Sequence, residues 1–265
     1  MKTLKESLFD TDLAERSAFR NQPKSRIELY EIILDFVSEV KPNEGDVVDL
    51  NWIDTSKITD MSGIFQDAKL IKYDYDLTYW DVSKVTNFSE MFWSCEYFTG
   101  KTIEKWNVSK GQDFTHMFYQ CHSLNCNFGS WDMKNARLTD FMFEACYEFE
   151  GKGLEKWKTS NLTDTHGMFL YCKELNANLS GWDVKNVKDM AFMFDECKSF
   201  EGKGLDKWKP QNIVKTKCMF KQCVKLKCNL DSWKPYIKRI QFFDMTNMFV
   251  GCPEKSIPDW YQLTL

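Results

Sequence analysis

The chain has 265 residues, a formal net charge of −4 and 43% hydrophobic residues, which suits either one elongated domain or two compact ones. No apolar run approaches the roughly 18 residues of a membrane-spanning helix, so we expect no membrane span. Met1 to Asp10 are too polar for a secretory signal. We therefore expect a cytoplasmic protein, unless a leader has been removed.

The N-terminal region, residues 1–48, lacks the repeat that follows it. Arg26 to Val40 form an amphipathic pattern, with Ser25 and Glu28 placed as a capping box and Pro42 after the end. One face of this predicted helix carries Ile27, Tyr30, Ile33, Leu34 and Val37. We interpret residues 1–48 as a helical cap on the apolar end of a repeat array. A helix that binds a partner is the alternative.

Three residue types recur in register along residues 49–252. The tryptophans, spaced by 25 to 28 residues, are Trp52, Trp80, Trp106, Trp131, Trp157, Trp182, Trp208, Trp233 and Trp260. A Met-Phe pair follows in step, beginning with the imperfect copy Ile64-Phe65. A cysteine stands three residues after each later Phe: Cys95, Cys121, Cys146, Cys172, Cys197, Cys223 and Cys252. A fixed period of this size is typical of stacked repeats that bury a shared core.

One unit, Trp182 to Phe200, suggests the local structure. The sparse apolar residues from Val187 to Met190 favour a short strand. A helical face with i, i+3, i+4, i+7 spacing follows, formed by Met190, Met193, Phe194 and Cys197. Asp189 is placed to cap that helix, and Asp60, Asn87, Asp113, Asp140 and Asp164 hold nearly the same place. The prediction is an α/β repeat solenoid of about eight coils, each with a short strand and a short helix, closed by residues 253–265.

A longer period of 51 residues is also present. The segment from Phe98 to Trp106 returns from Phe149 to Trp157 and from Phe200 to Trp208. The units therefore alternate between a Gly-Lys type and a Leu-Asn type, which indicates growth by duplication of a pair.

The repeat resembles the BspA-like family, whose pattern is close to Trp-Asp-Val-Ser-x-Val-Thr-x-Met-x-x-Met-Phe-x-x-Cys. The best copy runs from Trp80 to Cys95. The resemblance covers about residues 49 to 252 and implies a right-handed, leucine-rich-repeat-like solenoid that serves adhesion or protein–protein contact. The Asp after Trp is replaced by Asn107, Lys158 and Lys209, so those units are not expected to share one ligand surface with the others.

The ten cysteines are predicted to be reduced core thiols. Seven share one repeat column, and Cys126 and Cys228 share another with Ala177 between them. The spacing of Cys218, Cys223 and Cys228 does not match a zinc knuckle. Reduced thiols also suit an intracellular chain.

No motif for catalysis, phosphate binding or metal ligation is present. His116 and His166 both lie just before Met-Phe pairs, and a structural role explains such a repeat position better than a general base or a ligand. We therefore predict a non-enzyme without catalytic residues, a cofactor or a metal site.

Charge is the feature that breaks the repeat symmetry. From Lys198 to Arg239 there are twelve basic and three acidic residues, a net of +9. A candidate partner-binding patch comprises Lys203, Lys207, Lys209, Lys215, Lys217, Lys221, Lys225 and Lys227. Such a patch can steer an acidic protein onto these units, whereas a solvated lysine-rich face is the alternative. Nucleic acid is the weaker partner, because Arg is nearly absent and the tryptophans are assigned to the core.

Two functional classes follow from this sequence. The first is a phage- or microbe-encoded protein–protein interaction module that presents a solenoid surface. The second is a structural or attachment component of a virion or a cell surface. A soluble complex in a cell lysate would favour the first, whereas a leader peptide or recovery in purified particles would favour the second.

Overall fold

The computed structural model describes residues 22–237 and 240–262 of the chain. Helices α1, α2 and α3 span Arg26–Val40, Lys234–Ile237 and Asp259–Gln262. Strands β1 (Val47–Asp49) and β2 (Asp74–Asp76) pair in parallel. The described residues also form six 3-10 turns: Lys101–Ile103, Leu154–Lys156, Leu205–Lys207, Asp231–Trp233, Phe242–Met245 and Glu254–Ser256.

The predicted fold class, an α/β solenoid of about eight coils with a strand and a helix in each, is wrong. Residues 22–237 and 240–262 contain three α-helices and one two-stranded sheet, and the repeats consist mostly of turns and bends. Where a strand was expected near Val187, Asp189 forms only single-residue bridges. Where a helix was expected, from Met190 to Cys197, each local hydrogen bond spans three residues. The leucine-rich-repeat-like coil that the resemblance implied is therefore not observed.

The helix fails because two residues in each repeat adopt a left-handed backbone. In the unit around Met193 they are Phe192, at φ 59°, and Glu196, at φ 61°. Most equivalent positions, directly before the Met-Phe pair and before the cysteine, also have positive φ, for example Glu90 and Ser94. A right-handed helix cannot contain such residues, and each costs an L-residue roughly 1–2 kcal/mol. The apolar spacing thus identified the inward side chains correctly, but not the backbone that carries them.

Neighbouring repeats are joined by parallel backbone hydrogen bonds. The N–H groups of Phe88, Glu90, Phe92 and Ser94 donate to carbonyls of the next repeat at 2.7–2.9 Å. Met91, between them, donates instead to a carbonyl three residues back in its own repeat. The N–H groups therefore donate in alternation to the neighbouring repeat and to the local turn. The backbone donors are thus hydrogen-bonded without a regular helix or a long strand.

The polar residue predicted to cap the helix has a different role. Bridges connect Asp60, Asn87, Asp113, Leu138, Asp164, Asp189 and Lys215 in that order. Most of these polar side chains also accept a hydrogen bond from the N–H two residues later, as Asp189 does from Ala191 at 2.9 Å. Asp140 was expected in this column, but Leu138 holds the bridge position. Asp140 lies two residues further on and is half-buried.

The tryptophan column ties each repeat to the one before it. The indole Nε1 of Trp182 donates to the carbonyl of Leu154 at 2.8 Å, and its ring stacks on that of Trp157, with centroids 5.9 Å apart. The other tryptophans of the series, from Trp80 to Trp260, donate the same Nε1 hydrogen bond to a carbonyl about 30 residues earlier. In the first member, Trp52, the buried Nε1 has no partner among the described residues. No earlier repeat supplies one.

The cysteine column lies at the centre of the core. Sγ of Cys172 donates to the carbonyl of Phe143, in the preceding repeat, at 2.9 Å. The other six column thiols make the same contact. Burial raises the pKa of these thiols, for example those of Cys197 and Cys223. Thiolate, the reactive form, is therefore scarce.

Helix α1 has the bounds that the sequence predicts, Arg26–Val40. The Ser25 hydroxyl accepts a hydrogen bond from the N–H of Glu28 at 3.2 Å. The capping box is only half formed, because the Glu28 carboxylate binds the N–H of Lys24 and not that of Ser25.

The buried face of α1 differs in part from the predicted one. Leu29, Ile33 and Val37 are fully or almost fully buried, whereas Ile27 is 61% exposed. Phe36 packs near Trp52, with ring centroids 5.3 Å apart. The helix therefore covers the apolar residues of the first repeat.

Glycine explains the 51-residue period. Gly151 has φ +82°, and a Cβ there would lie 2.7 Å from Leu175 Cδ1 and 2.9 Å from the Ala177 Cβ. Gly100 and Gly202 meet a leucine and a cysteine of the following repeat in the same way. A Leu-x-Ala/Cys unit therefore needs a glycine at this position of the unit before it, in agreement with the alternation of the two types.

Candidate binding face

Outward side chains flank each buried Met-Phe pair. In the third repeat, Thr115, His116, Tyr119 and Gln120 are partly exposed around the fully buried Met117 and its Phe. We call this surface the turn face. It consists of the two residues before each Met and the two after each Phe, from Ser89 to Gln222. The alternation of left-handed and right-handed residues turns most of these side chains outward, while Met, Phe and Cys point inward.

A row of rings crosses five repeats of the turn face. Trp93 and His116 have centroids 4.9 Å apart, and His116 stacks on Phe141 at 5.1 Å. The row continues from Phe141 to His166 at 4.9 Å and on to Phe192 at 5.5 Å. All five side chains are partly exposed. The turn face therefore presents a continuous aromatic strip to solvent.

Carboxylates lie beside the middle of this row. Asp140 is half-buried and shares a side-chain hydrogen bond with Asp164, so burial and this second acid raise the pKa of Asp140 to about 7. Burial also raises the pKa of Glu144 to about 7. Near neutral pH, these two groups therefore hold protons that exposed carboxylates would have lost.

A chain of charged contacts runs from His166 into the next repeats. His166 Nδ1 lies 3.3 Å from Asp189 Oδ1, and the Asp189 contact raises the pKa of the imidazole. Asp189 Oδ2 lies 3.1 Å from Lys215 Nζ. Burial opposes ionisation of Asp189, but hydrogen bonds from His166, the Ala191 N–H and Lys215 outweigh it and lower its pKa. His116 forms no ion pair with a described residue, and burial lowers its pKa although Glu90 and Asp113 oppose that change.

Four of the eight candidate lysines are paired with acidic residues. Lys215 contacts Asp189, and Lys221 Nζ lies 3.5 Å from Asp195 Oδ2. Lys203 and Lys227 both contact Glu201. The structure brings Lys203 and Lys227 together at Glu201, and each of the four lysines has an acid beside it that neutralises part of its charge. Reversing Lys215 or Lys221 would therefore alter contacts between repeats as well as surface charge.

The other four candidate lysines are Lys207, Lys209, Lys217 and Lys225. Lys207 and Lys209 flank Trp208, and Lys225 follows Cys223. These three are exposed and form no ion pair within the described part of the chain. Lys217 is half-buried on the turn face. The use of the eight lysines as a docking patch stays a prediction.

One buried acid is incompletely satisfied. Asp195 is 3% exposed, and its Oδ1 accepts no hydrogen bond from the described residues. Burial raises the pKa of Asp195, while Lys221 opposes that rise. The turn face thus has more acceptor atoms than the described donors fill.

Among residues 22–237 and 240–262, no group of three or more His, Cys, Asp or Glu side chains is placed to hold a metal ion. Cys218, the thiol on the turn face, is 5% exposed, and burial raises its pKa. A search of the described helices finds none that is long and apolar enough to cross a membrane.

Sequence reasoning noticed His116 and His166 but missed the ring row. The signal was available, because the residues just before the Met-Phe pairs are aromatic or histidine in several units. In a helix, the side chains at these positions would point in different directions around the helix axis. Only the left-handed residues align them across repeats.

The chain was compared with known proteins. No curated protein and no solved structure matches it. The sequence profile of one family, described as "Mycoplasma protein of unknown function, DUF285", matches twice in tandem, over residues 36–153 and 139–260. These two matches span most of the chain and all of the turn face, so this repeat-containing protein belongs to the DUF285 family.

Proposed function

We propose that the protein is a non-catalytic interaction module that presents its turn face to another protein. The observation that supports this most is the row of five partly exposed rings, continuous from Trp93 to Phe192. Contiguous apolar surface is costly to leave in water and commonly marks a contact site. Aromatic side chains are also enriched in the centre of protein interfaces.

The backbone chemistry of the repeats supports recognition by side chains. The alternate N–H groups of each turn are already bonded to the neighbouring repeat. A partner therefore gains little by adding a strand, and specificity is left to the outward residues of successive repeats. Such a surface can vary from unit to unit while the core columns stay the same.

We also propose that these DUF285 repeats are related to the BspA-like repeats. The match from Trp80 to Cys95 supports this relation. The adhesion and protein-contact roles associated with the BspA-like family agree with a binding function.

The proposal is tested by affinity capture with three forms of the full chain. Phe141→Ala removes the central ring of the row. Tyr79→Ala is the matched control, because Tyr79 is 81% exposed and lies outside the turn face. We expect wild type and Tyr79→Ala to retain the same stoichiometric partner from the native lysate, and Phe141→Ala to lose it. Circular dichroism melting checks that all three forms are folded.

Two results would overturn the proposal. One is that no partner is retained in stoichiometric amount by any form. The other is that Phe141→Ala retains the partner as well as wild type does. Recovery of the protein as a stoichiometric component of purified virions or cell envelopes would instead support the structural or attachment role.

We propose a cytoplasmic location, where thiols stay reduced. All ten cysteines are free thiols, and eight of them are buried. Thiol counting on freshly prepared native protein, unfolded without reductant, should find ten reactive groups. Several oxidised pairs would indicate an exported protein.

A further inference from the structure

The last repeats of the turn face neutralise their own carboxylates. Lys215 follows Asp189 by 26 residues, and its Nζ lies 3.1 Å from that carboxylate. Lys221 follows Asp195 by the same interval and lies 3.5 Å from it. Asp195 and Lys221 lie on the turn face, whereas Asp189 and Lys215 lie beside it in the bridge column. In both pairs a lysine one repeat further along the chain is the counter-ion of the acid.

The same relation is missing two repeats earlier. The residue 26 positions after Glu144 is Leu170, and the residue 26 positions after Asp140 is His166. The Glu144 side chain makes no hydrogen bond or ion pair within the described residues. Burial and a second acid, Asp164, raise the pKa of Asp140, and His166 opposes that rise. These half-buried carboxylates have lost water, and the charge that offsets this loss is that of the His166 imidazole and not that of a lysine.

The surrounding surface has one sign of charge. From Ser89 to Glu196 the turn face contains acids and two histidines, but no Lys or Arg. The ring row passes directly beside the acids, since Phe141 follows Asp140 in the chain and lies 4.9 Å from the ring of His166. Lysine and arginine match such a strip, because they pack an apolar stem on rings and carry a charged end to a carboxylate.

We propose that the turn face binds an extended, lysine- or arginine-rich segment of a protein partner, with its cationic ends beside Asp140 and Glu144. This inference rests on the proposed interaction function and names the chemistry of the partner. A cation bound at Glu144 takes the place that Lys221 occupies beside Asp195 in the last repeats. Nucleic acid and acidic peptides carry the wrong charge for this part of the face.

The test uses the full chain and a labelled peptide of about ten residues in which Lys alternates with Thr, a length that spans several repeats when extended. Fluorescence anisotropy at low salt measures its affinity. We expect Asp140→Asn/Glu144→Gln to weaken binding about tenfold. The matched control is Glu155→Gln/Asp206→Asn, which removes two exposed carboxylates outside the turn face and should bind like wild type. A peptide with Glu in place of Lys should not bind.

The Asp140→Asn/Glu144→Gln variant is expected to fold, because it removes charges that are not paired with lysine. A melting curve verifies this. Glu144→Lys provides a second variant, which carries the cation itself and should also weaken binding. Equal affinity of wild type and Asp140→Asn/Glu144→Gln would overturn the inference. So would displacement of the peptide by a second copy of the chain, which would make self-association the use of this face.

The failure of this inference can be separated from failure of the proposed function. If Phe141→Ala loses the captured partner but Asp140→Asn/Glu144→Gln retains it at wild-type affinity, the face is an interface and the basic segment is wrong. If no form captures a partner, the interaction function itself fails.

Discussion

At the residue scale, the inward rings carry the packing between repeats. Phe169 is fully buried and lies between Phe143 and Phe194, with centroids 5.6 Å away on each side. Removing the ring leaves a cavity that touches three repeats. We expect Phe169→Ala to lower the free energy of unfolding by about 3–5 kcal/mol, measured by denaturant titration.

A neighbouring residue provides the control for this prediction. Tyr171 is two positions further along and 43% exposed. Tyr171→Ala should change the free energy of unfolding by less than about 1 kcal/mol, as is usual for surface substitutions. Similar losses in the two variants would contradict the assignment of the Phe column to the core.

The inward residues could be predicted from the sequence because burial follows the repeat register. Met193, Phe194 and Cys197 recur at fixed positions and are all fully buried. Their i, i+1, i+4 spacing is equally compatible with a helix and with successive turns, so it could not determine the backbone. The left-handed φ of a residue such as Phe192 has no signature in its side chain, because Phe rarely adopts it.

At the scale of elements, helix α1 was predictable and the repeat units were not. The start and the end of α1 depend on local interactions. Ser25 caps the first turn, and Lys41 ends the helix in the αL conformation. The turns of a repeat depend instead on hydrogen bonds to residues about 25 positions away. These bonds offset the cost of the left-handed residues, and no local propensity expresses them.

The cap of α1 gives a prediction for that element. Ser25→Ala removes the hydroxyl that accepts from the Glu28 N–H and should cost about 1 kcal/mol. Ser25→Asp retains an acceptor and should stay within about 0.5 kcal/mol of wild type. Thermal melts of both variants measure the difference, and equal loss in both would mean that the hydroxyl does not stabilise the helix.

The alternation of unit types gives a second prediction at this scale. Gly151→Ala combines a positive φ with contacts of 2.7 Å to Leu175 and 2.9 Å to Ala177. We expect a loss of about 2–4 kcal/mol, because strain and overpacking add. Gly181 is exposed and has no positive φ, so Gly181→Ala should cost much less. A mild effect of Gly151→Ala, measured by denaturant titration, would mean that the following repeat can move away.

At the scale of the whole molecule, the charge asymmetry was visible in the sequence, but its use was not. Some of the excess lysines near the C-terminal end form ion pairs within the chain, such as that of Lys221 with Asp195. The acids without a lysine partner, Asp140 and Glu144, lie elsewhere. The rest of the chain is visibly acidic in the sequence, but the sequence does not show which of its acids lack such a partner. Whether an acid is paired with a lysine depends on which residues lie 26 positions apart, and amino-acid composition does not contain that information.

These acids predict how the stability of the whole chain depends on pH. The pKa values of Asp140 and Glu144 are raised to about 7, whereas in an unfolded chain they lie near 4. Between these values the folded state binds more protons than the unfolded state, so stability falls as pH rises from about 4 to about 7. The raised pKa of His166 acts in the same direction. The lowered pKa of Asp189 acts oppositely, but only in more acidic solution.

We therefore expect a higher melting temperature at about pH 5 than at about pH 8. Because both acids are only half-buried, water screens part of their repulsion. Asp140→Asn/Glu144→Gln should then stabilise the protein at about pH 8 by only about 1 kcal/mol, or roughly 2–4 °C, and should flatten the pH profile. Glu155→Gln/Asp206→Asn, which alters exposed acids, should keep the wild-type profile. A wild-type melting temperature that rises from pH 5 to pH 8 would show that the carboxylates of the turn face are ionised and well compensated in the native state.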